Sequence, residues 1–208
     1  IRNNDSFNLV RCGDLTDCTH GFRYYILSFV KSLDAKIQKA KQVIKKAYRL
    51  FSPKKTVVAW TGGKDSTALL YLVRMTFGNT IPFPVMFNDS TMEFEEIYDF
   101  IKRISANWHL NVIIVPHDEE ELREFYATKV EERQKELARL MKVNAIRRFV
   151  QQYGIEAFLA GIRWDEHEAR SKETHFSKRD DHVRVHPILH FTERDIWDFI
   201  RTYQVPYV

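Results

Sequence analysis

The sequence predicts an α/β fold in which helices cover both faces of a mostly parallel sheet, with a helical arm at the N-terminus. Three observations predict this class. Short β-branched apolar runs alternate with helix-length amphipathic segments, which is the spacing of βαβ units. A glycine pair, Gly62-Gly63, separates the first such run from the helix that follows it. The chain has 208 residues, 44% of them hydrophobic, which is enough to bury a core in one or two domains.

The predicted elements follow one another along the chain. Residues 1–27 show no clear period and predict a loop-rich arm, and residues 28–51 predict an amphipathic helix that ends at Ser52-Pro53. A long charged helical stretch, 118–153, is predicted to break near Val143 and to end at Gly154. The other strands are predicted at 56–60, 84–87, 112–115 and 157–160, and the other helices at 66–77, 92–107 and 192–203, the last with Thr192 as N-cap and with Ile196, Trp197 and Ile200 buried.

Basic charge is concentrated in one segment. Residues 31–49 hold seven basic residues and one acidic residue, an excess larger than the net charge of +4 of the whole chain. Apolar residues recur there every three or four positions, so the charges are interpreted as the solvated face of a helix. A stripe that binds polyanions is the alternative. Binding to nucleic acid is therefore not expected.

Signals for membranes and secretion are not recognised. No apolar run approaches the roughly 20 residues that a membrane helix needs, and nothing at the start is typical of a signal peptide. Two cysteines, Cys12 and Cys18, are too few for a disulfide framework. The sequence thus predicts a soluble protein of the cytoplasm, without a membrane partner.

The strongest local signal is the strand, glycine pair and helix start at residues 57–67. Glycines without Cβ allow a tight turn and a close approach to an anion, and the helix N-terminus presents free N–H groups and a partial positive charge. Hydroxyl, ammonium and carboxylate groups surround the pair, from Thr61, Ser66, Thr67, Lys64 and Asp65. This predicts a phosphate cradle, although the spacing is neither that of a Walker A loop nor that of a dinucleotide fingerprint. An ordinary capped turn is the alternative.

Four segments carry a resemblance to a known family. Thr61-Gly62-Gly63-Lys64-Asp65-Ser66 resembles the pyrophosphate loop, Ser-Gly-Gly-x-Asp-Ser, of the ATP pyrophosphatase superfamily, with Thr in place of the first Ser. Residues 81–100, 161–177 and 184–197 are similar, in the same order, to segments of the phosphoadenylyl-sulfate reductase and sulfate adenylyltransferase small-subunit family. On this basis the chain is identified as a member of that family over about residues 54–208.

The resemblance implies a fold and a division of the chain. The fold is a Rossmann-like parallel sheet flanked by helices, of the adenine nucleotide alpha hydrolase-like type. The division is an N-terminal arm with the basic helix over residues 1–52, and a nucleotide-binding domain with the pyrophosphate loop over residues 53–208. The family's C-terminal tail is expected to be missing from this chain.

The resemblance also implies a site at the carboxyl edge of the sheet, with phosphates on the loop and adenine near the end of the second strand. Gly161 is expected to allow a close approach of ribose or the α-phosphate. The implied nucleotide-binding residues are Trp60, Thr61, Gly62, Gly63, Lys64, Asp65, Ser66, Thr67, Met86, Phe87, Asp89, Gly161 and Arg163. The implied catalytic residues are Lys64, Asp65, Arg163, Arg170 and Lys172, with magnesium on Asp65. A surface ion-pair network with the neighbouring acids is the alternative for the basic residues that follow Gly161.

Two lesser patterns do not predict metal sites. His182, His186 and His190 are four residues apart, but Pro187 prevents them from sharing a helical face. Cys12, Cys18 and His20 do not have a recognised zinc spacing, so ordinary thiols are expected.

The cysteines help to choose between the family's reactions. Reduction of a sulfonucleotide needs a nucleophilic thiol, and no cysteine follows Cys18. Residues 140–145 contain no cysteine pair, so no iron–sulfur cluster is expected. The pattern around Asp165, Arg170 and Glu173, with Pro82 to Pro84 before Asp89, is similar to the adenylyltransferase branch. We therefore expect adenylyl transfer from ATP to sulfate, with magnesium and with release of pyrophosphate.

Two alternative functions stay open at the level of the sequence. One is a reductase of phosphoadenylyl sulfate or adenylyl sulfate that uses a cysteine in a tail absent from this chain and a thioredoxin-like donor. The other is a nucleotide-binding regulator without turnover. Relatives on the same scaffold use FMN as acceptor, so the family resemblance implies sulfate as the acceptor, whereas these residues do not identify it. A GTPase partner subunit and a homodimer are further expectations from the family.

Overall fold

A six-stranded sheet forms the centre of the fold in a computed structural model that describes the backbone of residues 15–208 and the side chains of residues 32–208. The strands are β1 (Thr56–Ala59), β2 (Val85–Asp89), β3 (Val112–Pro116), β4 (Ala157–Leu159), β5 (Phe176–Lys178) and β6 (Val183–Val185). Their order is β3-β2-β1-β4-β6-β5, and all neighbours are parallel except β5 and β6. The mostly parallel α/β sheet predicted from the sequence is confirmed.

Helices connect the parallel strands. They are α1 (Leu15–Leu50), α2 (Lys64–Thr76), α3 (Glu95–Trp108), α4 (Glu119–Ala127), α5 (Glu131–Tyr153) and α6 (Glu193–Tyr203). The strand order runs outward from β1 to β3 on one side and from β4 onward on the other, so the order reverses between β1 and β4. Ligands of such sheets bind beyond the carboxyl ends of the strands at this reversal.

The start of α1 differs from the prediction of a loop-rich arm over residues 1–27. The helix begins at Leu15, and no proline interrupts it over residues 15–27. Residues 1–14, with Cys12, lie outside the described residues, as does the side chain of Cys18. The described chain divides into two compact units, one ending at Ala35 and the other spanning Lys36–Val208. The predicted boundary at residues 52 and 53 stays a prediction.

The part of α1 that belongs to the second unit has one apolar face. Ile37, Ala40, Ile44 and Ala47 are almost fully buried, whereas most of the lysines between them are exposed. This matches the predicted solvated face of an amphipathic helix. Among the described residues, no helix is both long enough and apolar enough to cross a membrane.

Local signals set the ends of the later helices. Thr192 caps α6 by accepting a hydrogen bond from Asp195 N, and the Asp195 carboxylate accepts one from Thr192 N, which is a capping box. Gly154 ends α5 in the left-handed conformation with φ 59°. Both predictions are confirmed. Ile196 and Ile200 are buried as expected, but Trp197 is only half-buried.

Two local predictions are wrong. The charged helical stretch breaks between Ala127 and Glu131 and not near Val143, which lies inside α5. The Thr128 hydroxyl donates to Glu124 O, and Gln134 Nε2 donates to Thr128 O, so side chains satisfy the backbone carbonyls at this break. The β5–β6 hairpin was not predicted, because strands of three residues are too short to show a period.

Candidate functional site

The loop between β1 and α2 is shaped by its glycine pair. Gly62 has φ +79°, and a Cβ there would lie 3.1 Å from Ile97 Cγ2 of α3. Gly63 is the N-cap of α2 and has no side chain to accept from the first helical N–H groups. The N-terminus of α2 therefore presents its N–H groups and its partial positive charge without a side-chain cap.

Hydroxyl groups hold this loop in place. Ser66 Oγ accepts from Thr61 N at 3.2 Å and donates to Gly63 O at 3.0 Å. Thr67 Oγ1 accepts from Trp60 Nε1 at 2.9 Å and lies 3.3 Å from Gly62 O. Trp60 and Thr67 are fully buried, so their hydrogen bonds attach the loop to the protein interior. The loop predicted to bind phosphate is thus a hydrogen-bonded turn without a side-chain cap, and its phosphate-binding role stays a prediction.

A cavity of about 490 Å³ opens over the carboxyl ends of four neighbouring strands. This volume lies within the range of roughly 300–1,000 Å³ that is typical of ligand pockets. Its lining includes parts of the loop and of the strands on both sides of it, namely Trp60, Thr61, Gly63, Asp65, Ser66, Met86, Asn88, Lys142, Ile146, Phe158, Gly161, Glu166, Arg170, Glu173, Arg184 and His186. The site expected at the carboxyl edge therefore coincides with a cavity.

The two ends of the cavity differ in chemistry. The end at β2 and α5 is lined by Met86, Ile146 and Phe158 with Asn88 and Lys142, and is called the apolar end. The end at β6 is lined by Arg170 and Arg184 with Glu166 and Glu173, and is called the basic end after its two arginines. Strands β2 and β6 are three strand spacings apart, roughly 14 Å at about 4.8 Å per strand. The loop of α2 lies after β1, between these ends. The cavity therefore has an apolar end, an anion cradle and a basic end in one row.

The alternation of side chains along β2 separates its residues into two groups. Met86 and Asn88 line the cavity. Phe87 packs edge-on against the ring of Tyr98, and Asp89 Oδ1 accepts from Tyr98 Oη at 2.7 Å. Since neighbouring strand residues point to opposite faces, Phe87 and Asp89 do not line the cavity as the sequence analysis expected. Asn88 was missed, although the same period of two, counted from Met86, indicates it.

The contact with Asp89 affects the pKa of Tyr98. Burial, and then the hydrogen bond to the Asp89 carboxylate, raises the pKa of Tyr98 to about 12. The phenol therefore stays protonated and donates to the carboxylate. Asp89 also accepts from Thr91 N at 2.8 Å, so it shapes the turn after β2.

Arg163 lies inside a ring of charged groups. It is 3% exposed, its Nε donates to Asp165 Oδ1 at 2.8 Å, and its guanidinium also pairs with Asp65. Asp65 Oδ2 lies 3.2 Å from Lys64 Nζ, which lies 3.5 Å from Glu193 Oε1. Glu193 N donates to Asp165 Oδ2 at 2.7 Å and closes the ring. Arg163 is therefore absent from the cavity wall and ties the turn after β4 to the starts of α2 and α6.

Asp165 is held ionised by this ring. Burial alone would raise the pKa of Asp165, but the hydrogen bonds from Arg163 and from Glu193 N outweigh it and hold the pKa below its usual range. The carboxylate therefore keeps its negative charge at neutral pH and balances the buried guanidinium.

The expected magnesium ligand was compared with its surroundings. Both oxygens of Asp65 face cations of the chain, Arg163 and Lys64. Within the part of the chain that the structure describes, no group of three His, Cys, Asp or Glu side chains is arranged to hold a metal ion. Mg²⁺ is usually bound by one or two free carboxylates together with phosphates and waters. Both oxygens of Asp65 are thus occupied by cations of the chain, and the assignment of magnesium to Asp65 stays a prediction.

Gly161 is required by the packing of the chain itself. A Cβ there would lie 2.9 Å from Asp65 O and 3.1 Å from Ser66 Cα, which are backbone atoms of the first turn of α2. The missing Cβ lets the turn after β4 lie against the helix N-terminus. Gly161 also lines the cavity, but the close approach that its size allows is that of α2.

The remaining predicted cations separate from one another. Arg170 lines the cavity and pairs with Glu166 Oε2 at 2.7 Å. Lys172 is exposed and lines a different surface depression together with Ser177 and Lys178. The two were expected to act together, but the short helical turn that ends at Arg170 directs the chain away from the cavity before Lys172. Arg184, on the unpredicted strand β6, lines the cavity instead.

His186 is a buried neutral group at the basic end. It is 1% exposed, and its Nδ1 lies 2.9 Å from Thr174 O. Burial lowers the pKa of His186, so the ring is neutral at pH 7 and Nδ1–H donates to the carbonyl. His182 and His190 bond elsewhere, to Asp181 and to Lys36 O. Among the described residues, these three histidines belong to no group that could hold a metal ion.

Comparison with known proteins identifies the family. The model of the phosphoadenosine phosphosulfate reductase domain matches residues 55–208. Sulfate adenylyltransferase subunit 2 1 of Chromohalobacter salexigens is 29% identical over 178 residues, which are 73% of this chain and 58% of that protein. Sulfate adenylyltransferase subunit 2 of Bacteroides fragilis is 28% identical over 212 residues, which are 88% of this chain and 67% of that protein. This chain spans little more than half the length of several of its curated relatives.

Solved structures agree on the fold. A phosphoadenylyl-sulfate reductase from Candida auris, in a phosphate complex, has a TM-score of 0.63 at 18% identity, and the match covers 84% of this chain and 87% of that one. An FMN adenylyltransferase from Candida glabrata, with FMN and an ATP analogue, has a TM-score of 0.61 at 22% identity, with 82% and 57% covered. The Rossmann-like, adenine nucleotide alpha hydrolase-like fold is thereby confirmed, and the chain belongs to the phosphoadenosine phosphosulfate reductase domain family.

Proposed function

We propose that this chain binds ATP in the cavity and transfers its adenylyl group to sulfate, with release of pyrophosphate. The observation that carries the proposal is the row formed by an apolar end, an uncapped helix N-terminus and a basic end within one cavity. Such a row matches, in order, a base, a chain of phosphates and an anionic acceptor. The names of the curated relatives support the same reaction.

The proposed orientation follows from the chemistry of each part. The adenine lies against Met86 and Ile146, because an aromatic base gains from leaving water for an apolar surface. The β- and γ-phosphates lie at the first turn of α2, where free N–H groups and the helix dipole favour negative charge. The α-phosphate then faces the basic end. Asn88 and Lys142 add polar groups beside the base.

The reaction needs positioning and charge stabilisation, not a covalent nucleophile of the chain. A sulfate oxygen attacks the α-phosphorus, and the bond from that phosphorus to the oxygen of the β-phosphate breaks. Pyrophosphate leaves with the electron pair, and the loop stabilises its growing charge. Lys64 is half-buried and holds only carboxylates at 3.2 and 3.5 Å, so it is available to turn toward phosphate. Magnesium, in this proposal, arrives with ATP as part of the substrate.

Arg163 acts in this proposal as a positioning residue. Its guanidinium is sealed by Asp65 and Asp165 and therefore does not touch the nucleotide in this arrangement. It keeps the loop and the turn after β4 in one fixed geometry, which in-line transfer requires.

We further propose that the chain works with a partner subunit, because its curated relatives are named as subunit 2 of an enzyme. A GTPase subunit is the partner that the family resemblance implies.

A pyrophosphate-release assay tests the proposed reaction. The chain, purified with any partner that accompanies it, is given ATP and magnesium with and without sulfate. We expect release that depends on sulfate and falls at least about tenfold in Lys64→Gln, since a charged contact to phosphate is lost. Lys54→Gln, which removes an exposed lysine from the turn before β1, is the matched control and is expected to leave the rate unchanged.

Other outcomes would assign other functions. Release of sulfite from phosphoadenylyl sulfate in the presence of a thiol donor, without pyrophosphate release, would replace the proposal by the reductase alternative. Tight ATP binding without any turnover would replace it by the regulator alternative. Pyrophosphate release that FMN accelerates and sulfate does not would keep adenylyl transfer and change the acceptor.

A further inference from the structure

Arg184 carries a positive charge that no group of the described chain neutralises directly. The other buried or half-buried arginines have polar partners: Arg163 has Asp65 and Asp165, Arg170 has Glu166, Arg179 has Glu173, and Arg74 has Asn79. The side chain of Arg184 has neither a hydrogen bond nor an ion pair within residues 32–208, and its Nε is buried without a partner. A half-buried guanidinium without an acceptor is costly, because its hydration is lost and nothing replaces it.

The position of Arg184 directs this charge at the cavity. It is the middle residue of β6, between Phe158 of β4 and Ser177 of β5, and its side chain lines the basic end. Only its Nε is sealed from solvent without a partner, so the two terminal nitrogens are open to the cavity. The stem is thus enclosed between strands, and the donor fork faces the space beside Arg170.

The acids around Arg184 are already paired with other groups. Burial, and then the nearby charge of Arg179, lowers the pKa of Arg184. Glu173 is the acid that could best neutralise Arg184. It already accepts hydrogen bonds from Ser177 Oγ and from Arg179 Nη2, at 2.5 and 2.6 Å. Arg170 adds a second guanidinium at the same wall. An anion at this place would meet the unpartnered guanidinium of Arg184 beside the Arg170–Glu166 pair, with no free carboxylate of Glu173 in competition.

We propose that Arg184, together with Arg170, forms the acceptor subsite and binds a small tetrahedral oxyanion of the sulfate type. A guanidinium presents two parallel N–H donors to two oxygens of such an anion. The inference rests on the proposed function, since it names the residues that hold the second substrate of that reaction. It also replaces Lys172, which lies outside the cavity, by Arg184 as the partner of Arg170.

The subsite lies where transfer requires it. The cradle follows β1 and Arg184 lies on β6, and these strands are separated only by β4. Two strand spacings correspond to roughly 10 Å between strand axes. Side chains that reach inward from β6 therefore bring an oxyanion next to phosphates at the start of α2.

Kinetics with two substrates test the assignment. The Michaelis constants for sulfate and for ATP are measured in the pyrophosphate-release assay for Arg184→Gln and Arg184→Lys. For Arg184→Gln we expect the KM for sulfate to rise about 10- to 100-fold, the size of a lost charge-assisted pair, and the KM for ATP to change less than about threefold. Arg184→Lys keeps the charge without the fork and is expected to give an intermediate KM for sulfate. Lys178→Gln, an exposed change on the neighbouring strand β5, is the control.

A binding measurement separates failure of the subsite from failure of the proposed reaction. The melting temperature is recorded with a non-hydrolysable ATP analogue, with and without millimolar sulfate at constant ionic strength. Sulfate should stabilise the wild-type complex and not Arg184→Gln, even if turnover is absent. If Arg184→Gln keeps turnover and nucleotide binding with the same sulfate dependence as the wild type, the subsite is overturned and the proposed reaction is not. A rise in the KM for ATP, or a sulfate defect in Lys172→Gln instead of Arg184→Gln, would overturn it as well.

Discussion

The packing of Gly161 gives the most quantitative prediction. An alanine Cβ at this position would lie 2.9 Å from Asp65 O, 3.0 Å from Asp65 C and 3.1 Å from Ser66 Cα. All three atoms belong to the backbone of α2 at its first turn, so no flexible side chain can move aside. Either the turn after β4 or the start of α2 must shift. Since both carry the anion cradle and its supporting ring, stability and nucleotide binding should fall together.

The expected magnitude follows from overpacking. Extra methyl groups that force backbone shifts cost about 1–3 kcal/mol, so we expect Gly161→Ala to lower the free energy of unfolding by about 2 kcal/mol. Gly63→Ala is the matched control for stability, because its Cβ would meet only Thr61 Oγ1, at 3.6 Å. Its φ of −69° is also allowed for alanine. The two variants change the unfolded chain in the same way, so their difference reports the folded packing.

Urea unfolding and nucleotide titration measure the effect. Gly161→Ala should unfold at a lower urea concentration than both wild type and Gly63→Ala, with an unchanged slope. Its affinity for a non-hydrolysable ATP analogue should also be lower than that of the wild type. An unfolding free energy within about 0.5 kcal/mol of the wild type, with unchanged affinity, would refute the claim that α2 occupies the space of this Cβ.

Three further predictions concern the ring of charges around Arg163, the half-buried His190 and the N-cap of α6. Asp65→Asn removes one of the two carboxylate partners of buried Arg163 and should cost about 2 kcal/mol in urea unfolding. Arg163→Gln should cost less in the Asp65→Asn background than in the wild type, because the contact between these two side chains is then already lost, although the contact with Asp165 is lost in both. Burial lowers the pKa of His190 to about 4, so the unfolded chain takes up the proton first, and stability falls as pH drops from about 6.5 toward 4, by up to ~1.4 kcal/mol per pH unit. His190→Gln should flatten that part of a melting-temperature profile, and an unchanged slope would contradict the assignment. Thr192→Ala should lower stability by about 1 kcal/mol in the same unfolding assay through loss of the α6 cap, whereas a neutral result would show that Asp195 alone suffices.

The sequence was sufficient for the elements with a clear period. The central strands and the helices after them alternate in a way that only a parallel sheet accommodates, and glycine and threonine mark helix ends by local rules. The break before α5 was misplaced because residues 128–130 contain neither proline nor glycine, and the start of α1 was misplaced although Gly13 precedes it in the sequence. Strands β5 and β6 have three residues each and depend on pairing with distant neighbours.

The candidate site was predictable where its residues are local in the chain. The loop 60–67 acts as one strand-to-helix turn, so its glycines and hydroxyls could be assigned from the sequence alone. Arg163 could not, because its partner Asp65 is 98 positions away and converts a free cation into a buried ion pair. Arg184 and Lys142 reach the cavity only through tertiary packing of β6 and α5. Asn88 could have been predicted, because it lies two residues after Met86 on β2 and therefore on the same face of the strand.

Transfer of radiolabelled sulfate tests the account most directly. The chain, with ATP, magnesium and labelled sulfate, is expected to form adenylyl sulfate in an amount equal to the pyrophosphate released, and Arg184→Gln should need a much higher sulfate concentration to do so. The equality matters because it joins the cradle and the basic end in one reaction. Bound ATP with no label in any nucleotide product, under conditions where the wild-type chain is folded, would contradict adenylyl transfer to sulfate at this cavity.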